Sequence, residues 1–112
     1  MSLTIYHNPR CGKSRETLAL LEARGLKPNV IEYLTAPPSA SVLKGILATL
    51  GLKAAALVRK KEAAEFGVDV AMPEDELIAA MVKNPIIIER PIVLNGTKAA
   101  VGRPPENVLT IL

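Results

Sequence analysis

The first 33 residues of this chain leave few folds open. Leu3 to Tyr6 reads as a short β-strand, the stretch from Cys11 to Arg24 as a helix closed by Gly25, and Asn29 to Tyr33 as a second strand. Strand, helix and strand within about 30 residues make a βαβ unit, so the two strands should run parallel with a right-handed crossover. A chain that begins this way is committed to a helix packed over a sheet.

The remainder extends that sheet. After Pro37-Pro38, Ser39 can cap a helix with Val42, Leu43, Ile46, Leu47 and Leu50 on one face and Gly51 at its end. A short helix is expected over 54–60. Pro73-Glu-Asp-Glu76 places proline and acids in the first turn of another helix, whose buried face is Leu77, Ile78, Met81 and Val82. Ile86–Ile88 and Ile92–Leu94 flank Glu89-Arg90-Pro91, and Asn95-Gly96 predicts a type I′ hairpin into Lys98–Val101. Pro104-Pro105 followed by Val108, Leu109, Ile111 and Leu112 reads as a final helix packed on the sheet.

The order is βαβ, a helical insertion, then ββα: an α/β, thioredoxin-like (glutaredoxin-like) mixed four-stranded sheet. With 112 residues and 49% apolar content, the expectation is a single domain over 1–112 with one core. In this architecture a cysteine after the first strand faces the proline that precedes the third, commonly in a cis peptide. Here that proline is Pro91, preceded by Arg90.

No basic leader precedes an apolar stretch, and no apolar run approaches the ~18 residues of a membrane span, so a cytoplasmic protein without membrane association is expected. A net charge of +3 and only three aromatic residues, two Tyr and one Phe, argue against nucleic-acid binding. A few arginines gathered at one pocket fit a small anion better.

The chain has one cysteine, Cys11, and one histidine, His7, which exclude an internal disulfide and a structural zinc site; no metal is expected. Cys11 sits where the first strand gives way to the first helix, against the positive end of the helix dipole, where backbone N–H groups favour a thiolate. Unpaired cysteines are commonly buried small hydrophobes, but the neighbours His7, Asn8, Pro9, Arg10, Gly12, Lys13, Ser14 and Arg15 suit an exposed, positively charged loop. Cys11 is therefore the candidate nucleophile. Ser14 takes the place of the second cysteine of a Cys-x-x-Cys motif; its hydroxyl can donate to the sulfur or serve as a backbone cap. His7 can bias the sulfur if protonated, or be structural. Any redox chemistry at Cys11 must recruit a second thiol from outside the chain.

Four segments taken together, His7-Asn-Pro-Arg-Cys-Gly-Lys-Ser-Arg15, Leu57-Val-Arg-Lys60, Pro85-Ile-Ile-Ile-Glu-Arg-Pro-Ile-Val93 and Gly102-Arg-Pro104, resemble the glutaredoxin-coupled arsenate reductases. These ArsC-like proteins have a thioredoxin fold and are related to Spx-type proteins. The resemblance implies that Cys11 attacks arsenate while Arg59, Arg90 and Arg103 hold its oxygens. It further implies that glutathione enters as co-substrate, that glutaredoxin resolves the product, and that no cofactor is tightly bound. The physics agrees: an anionic nucleophile is repelled by an oxyanion unless guanidinium forks neutralise and orient it.

Two other readings compete. An Spx-like regulator that binds RNA polymerase would typically carry Cys-x-x-Cys as a redox switch, which Ser14 cannot complete. A monothiol glutathione-dependent oxidoreductase fits Cys11 but leaves the three arginines unexplained.

Overall fold

In the computed structural model, which describes residues 3–112, four strands form one mixed sheet in the order β2-β1-β3-β4. They are β1 (Leu3–His7), β2 (Asn29–Glu32), β3 (Ile92–Asn95) and β4 (Lys98–Val101). β2 runs parallel to β1, ending with Glu32 opposite His7. β3 is antiparallel to β1 with Ile92 opposite Tyr6, and β4 is antiparallel to β3 with Val101 opposite Ile92. Beside the exit from β2, this register brings three further chain segments to one end of the sheet: the exit from β1, the entry to β3 and the exit from β4.

The thioredoxin-like α/β fold read from the sequence is the one observed, and the chain divides into two compact units. The first holds the sheet: the chain up to Ala36, joined by Arg90–Leu112. Its crossover helix α1 (Gly12–Ala23) ends at Arg24 and Gly25, whose φ of +75° is the left-handed conformation expected there. Leu21 of α1 packs with Ile5, Val93, Val108 and Ile111, so helix, sheet and C-terminal segment share one apolar cluster. Burying such side chains contributes about 1.5–3 kcal/mol each. Nearer its start, α1 buries Ser14 and Thr17 instead, so its inner face turns polar toward the end where the three segments meet.

The second unit, Pro37–Glu89, is the helical insertion. Its α2 (Ala40–Leu50) opens on Ser39, whose Oγ accepts from the Val42 N–H at 3.2 Å, and closes on Gly51 with φ +70°. α2 buries Leu43, Ile46 and Leu47, while Val42, placed on the buried face by periodicity, is exposed. α4 (Glu74–Lys83) carries Glu74, Asp75 and Glu76 in its first turn and buries Leu77, Ile78 and Met81.

Three expectations need correction. The short helix over 54–60 breaks into a 3₁₀ turn, Ala54–Leu57, and α3, Lys60–Glu65. Between them Val58 and Arg59 are extended, because the Arg59 N–H donates to Ile87 O and the Glu89 N–H to Leu57 O, each at 2.7 Å. Arg59 therefore opens a helix instead of closing one. In the hairpin, Asn95 pairs with Lys98, so the central residues are Gly96 and Thr97. Gly96 has φ +62° and no described non-glycine residue has positive φ, the sign pattern of a type II′ turn and not of type I′. The final helix is a 3₁₀ segment, Pro105–Ile111, burying Pro105, Val108 and Ile111.

Arg90-Pro91 is cis, as expected, and so is Arg103-Pro104, which no sequence signal singled out. Among the described residues no helix is long and apolar enough to cross a membrane, and no cluster of three His, Cys, Asp or Glu side chains could hold a metal ion.

Candidate functional site

The exit from β1 is a tight loop. Cys11 N–H donates to Asn8 O at 3.0 Å, and Arg10 N–H to Asn8 Oδ1 at 3.0 Å, an Asx turn that sets the path from strand to helix. Cys11 is the N-cap residue of α1, extended at φ −93° and ψ 123°, and Arg15 N–H donates to its carbonyl at 3.0 Å. The thiol thus stands at the positive end of the helix, half-buried. Asn8 was not among the residues read as functional, yet it is almost fully buried and shapes this loop; the Asn-Pro dipeptide is the signal that points to it.

The other two segments converge on the sulfur. Arg103, just beyond β4, points Nη2 at Cys11 Sγ at 3.3 Å and donates Nε to the Arg90 carbonyl at 2.7 Å. Arg90, just before β3, is buried at 8% exposure and adds a side-chain hydrogen bond to the sulfur. Burial pushes the Cys11 thiol up. The Ser14 backbone N–H, the hydrogen bond from Arg90 and the charges of Arg103 and Arg90 outweigh it and hold the thiol below its ordinary value. In front of Cys11 lies an open cleft of about 460 Å³ lined also by Gly12, Lys13, Arg15, Glu16 and Arg103. Pro91 is buried, its carbonyl accepting the Gly102 N–H at 2.9 Å.

Of the two roles read for the Ser14 hydroxyl, the geometry shows the bond to a backbone N–H and not the one to the sulfur. Its Oγ, fully buried, accepts from the Asn8 N–H at 3.0 Å and shares a hydrogen bond with His7 Nδ1 at 2.6 Å. What faces the sulfur is the Ser14 backbone N–H, although Cys11 closes no side-chain cap bond. His7 takes the structural place also read for it: its Nδ1 holds the Ser14 hydroxyl, and burial, which outweighs the opposing charges of Glu32 and Glu22 and is joined by Arg15, lowers its pKa and so disfavours the charged form.

Arg59 lies in the second unit, where its guanidinium bonds both Glu62 and Glu89, the latter from Nη1 to Oε1 at 3.2 Å. Against the effect of burial, the two carboxylates raise its pKa further above that of a free arginine. The geometry thus gathers Arg90, Arg103 and the Ser14 amide around the Cys11 sulfur, with His7 behind Ser14 and Pro91 tied to Gly102 between the two arginines, and sets Arg59 on a pair of acids.

Residues 6–111 match the model of the ArsC family. An uncharacterized protein of Escherichia coli K12, YfgD, is 49% identical over 96% of this chain and 94% of its own. An arsenate reductase of Neisseria meningitidis is 46% identical over 98% of this chain and 97% of its own. The solved structure of an arsenate reductase from Vibrio cholerae superimposes with a TM-score of 0.90 at 49% identity, covering all of this chain and 98% of that one.

Proposed function

The chain belongs to the ArsC family, and from that premise we propose that it is an arsenate reductase whose Cys11 thiolate is the nucleophile. The observation that carries the reading is the convergence of two guanidiniums on the sulfur of a lone cysteine. Arg103, which borders the cleft, takes an arsenate oxygen as the substrate enters, while Arg90 stabilises the thiolate from its buried side. By the resemblance Arg59 is a third ligand of the oxyanion, and to serve it must exchange a carboxylate of Glu62 or Glu89 for an arsenate oxygen.

Cys11 forms an S–As bond and one arsenate oxygen leaves as water after protonation. A glutathione thiol then supplies the second sulfur. As arsenic(V) takes up two electrons and departs as arsenite, the two sulfurs join in a mixed disulfide. One arsenate and two thiols thus become one arsenite, one disulfide and one water. Because no other cysteine exists in the chain, glutaredoxin with further glutathione returns Cys11 to its thiol form. This chemistry calls for no bound cofactor and for a reducing compartment such as the cytoplasm.

The test is NADPH oxidation coupled through glutathione reductase, glutathione and glutaredoxin. The wild type should show arsenate-dependent oxidation and Cys11→Ser none. Folded wild-type protein that reduces a small mixed disulfide but ignores arsenate would refute the reductase and favour a monothiol oxidoreductase.

A further inference from the structure

We propose that Gly102 is a positioning residue of the cysteine site: its missing side chain lets the exit of β4 close on α1 and on Pro91, and so brings Arg103 to the Cys11 sulfur. A Cβ built on Gly102 would stand 2.5 Å from Thr17 Oγ1, 2.8 Å from Pro91 Cγ and 3.1 Å from Thr17 Cγ2. Non-bonded carbon atoms prefer separations of about 3.5–4.0 Å, so Thr17 and Pro91 must give way or the exit of β4 must move. Neither side chain gives way cheaply. Thr17 is fully buried, β-branched and bound through Oγ1 to the Lys13 carbonyl at 2.8 Å, while Pro91 is a buried ring. Every other glycine has open space or, at Gly12, an ordinary 3.9 Å neighbour, so the close approach belongs to this position alone.

Its consequence runs directly into the site. The Gly102 N–H donates to the Pro91 carbonyl at 2.9 Å, which ties the residue before Arg103 to the residue after Arg90. Arg103 then closes the ring, with Nε on the Arg90 carbonyl at 2.7 Å and Nη2 on the sulfur at 3.3 Å. Thr17 sits one helical turn beyond Ser14, whose amide faces the same sulfur. A side chain at 102 would wedge α1 and the β4 exit apart and carry Arg103 off the thiol. A misplacement of about 1 Å in such a constellation can cost on the order of 100-fold in rate.

The inference deepens the reductase reading and rests on it only for turnover; the thiol reports it independently. The experiment compares Gly102→Ala, Thr17→Ala and the double variant, since Thr17→Ala removes two of the three close contacts. Circular dichroism and thermal unfolding establish folding, the pH dependence of Cys11 alkylation by iodoacetamide reads the thiol, and arsenate kcat/KM reads turnover. Gly102→Ala should move the alkylation midpoint to higher pH and lower kcat/KM about tenfold or more. The double variant should recover part of both, and Thr17→Ala alone should resemble the wild type.

A folded Gly102→Ala protein with a lower melting temperature but an unchanged alkylation midpoint would overturn the proposal. If Gly102→Ala does not fold, the double variant is judged against Thr17→Ala by the same two criteria. Failure of both to fold would also overturn it, by making Gly102 a folding residue. A wild type inactive on arsenate, together with a shifted midpoint in Gly102→Ala, would sink the reductase reading and leave the positioning role intact.

Discussion

The arginines at the cysteine end of the sheet and Arg59 in the helical insertion are the same residue type set to opposite tasks. Arg90 and Arg103 face a thiol and lower its pKa. Arg59 faces two carboxylates and is made harder to deprotonate. A guanidinium turned to a thiolate activates a nucleophile and stands ready for the oxyanion that nucleophile attacks. One bound to Glu62 and Glu89 has its attraction for a further anion offset by the acids it already holds. Motif matching treats the three arginines alike; the geometry ranks them.

The ranking can be broken most directly by removing the arginines at the sulfur. Arg90→Ala should cost about 2 kcal/mol or more in kcat/KM for arsenate, as for losing a charge-assisted contact made by a buried side chain. Steady-state kinetics unchanged within error would remove Arg90 from the mechanism. Arg103→Ala should act on the thiol as well as on turnover. The alkylation rate of wild-type Cys11 should rise with pH through a midpoint below that of an ordinary thiol, because the thiolate, not the thiol, reacts. Without the Arg103 charge that midpoint should move up. A midpoint that stays where it is would mean the Ser14 amide and Arg90 set the thiol by themselves.

Ser14 sharpens the comparison at a smaller scale by separating hydroxyl from amide. Ser14→Ala strands His7 Nδ1 and the Asn8 N–H, both in buried residues, and should destabilise the fold by about 1–3 kcal/mol in urea unfolding. The amide that faces the sulfur survives the substitution, so the alkylation midpoint should hardly change. A clear upward shift would restore the hydroxyl as the donor to the thiolate.

That division also marks how far the sequence could be read. The βαβ start, the capped and glycine-ended α2, and the Arg90-Pro91 cis bond were legible because each depends on neighbours within a few residues or on the β1–β3 register that the fold class implies. Cys11, Arg90 and Arg103 could be named from motif and resemblance. Their convergence is a product of topology, since β1 exit, β3 entry and β4 exit share one end of the sheet. What escaped depends on partners far along the chain or on a single dihedral. Val58 and Arg59 are extended because Ile87 and Ile88 lie beside them. The hairpin turn is shifted by one residue through the φ of Gly96. Ser14 turns its hydroxyl to His7 because that imidazole, seven residues away, is buried behind it. The close approach at Gly102 is visible only once Thr17 and Pro91 are placed.

Arg59 carries the smallest expected effect and the most direct challenge to the ranking. Its side chain is 26% exposed, against 8% for the whole of Arg90, and any oxyanion must compete with Glu62 and Glu89 for it. Arg59→Ala should therefore raise the arsenate KM by about fivefold, near 1 kcal/mol, less than the loss for Arg90→Ala. Glu89→Gln separates the two ways of explaining a small number. If the carboxylates hold Arg59 back from substrate, weakening one of them should lower the arsenate KM. If they fix Arg59 as a structural cation, Glu89→Gln should lower the melting temperature and leave KM as it was. An Arg59→Ala loss as large as that of Arg90→Ala, with no gain from Glu89→Gln, would show that the acids orient Arg59 for the oxyanion without opposing it, and the contrast between the two arginine sites would fall.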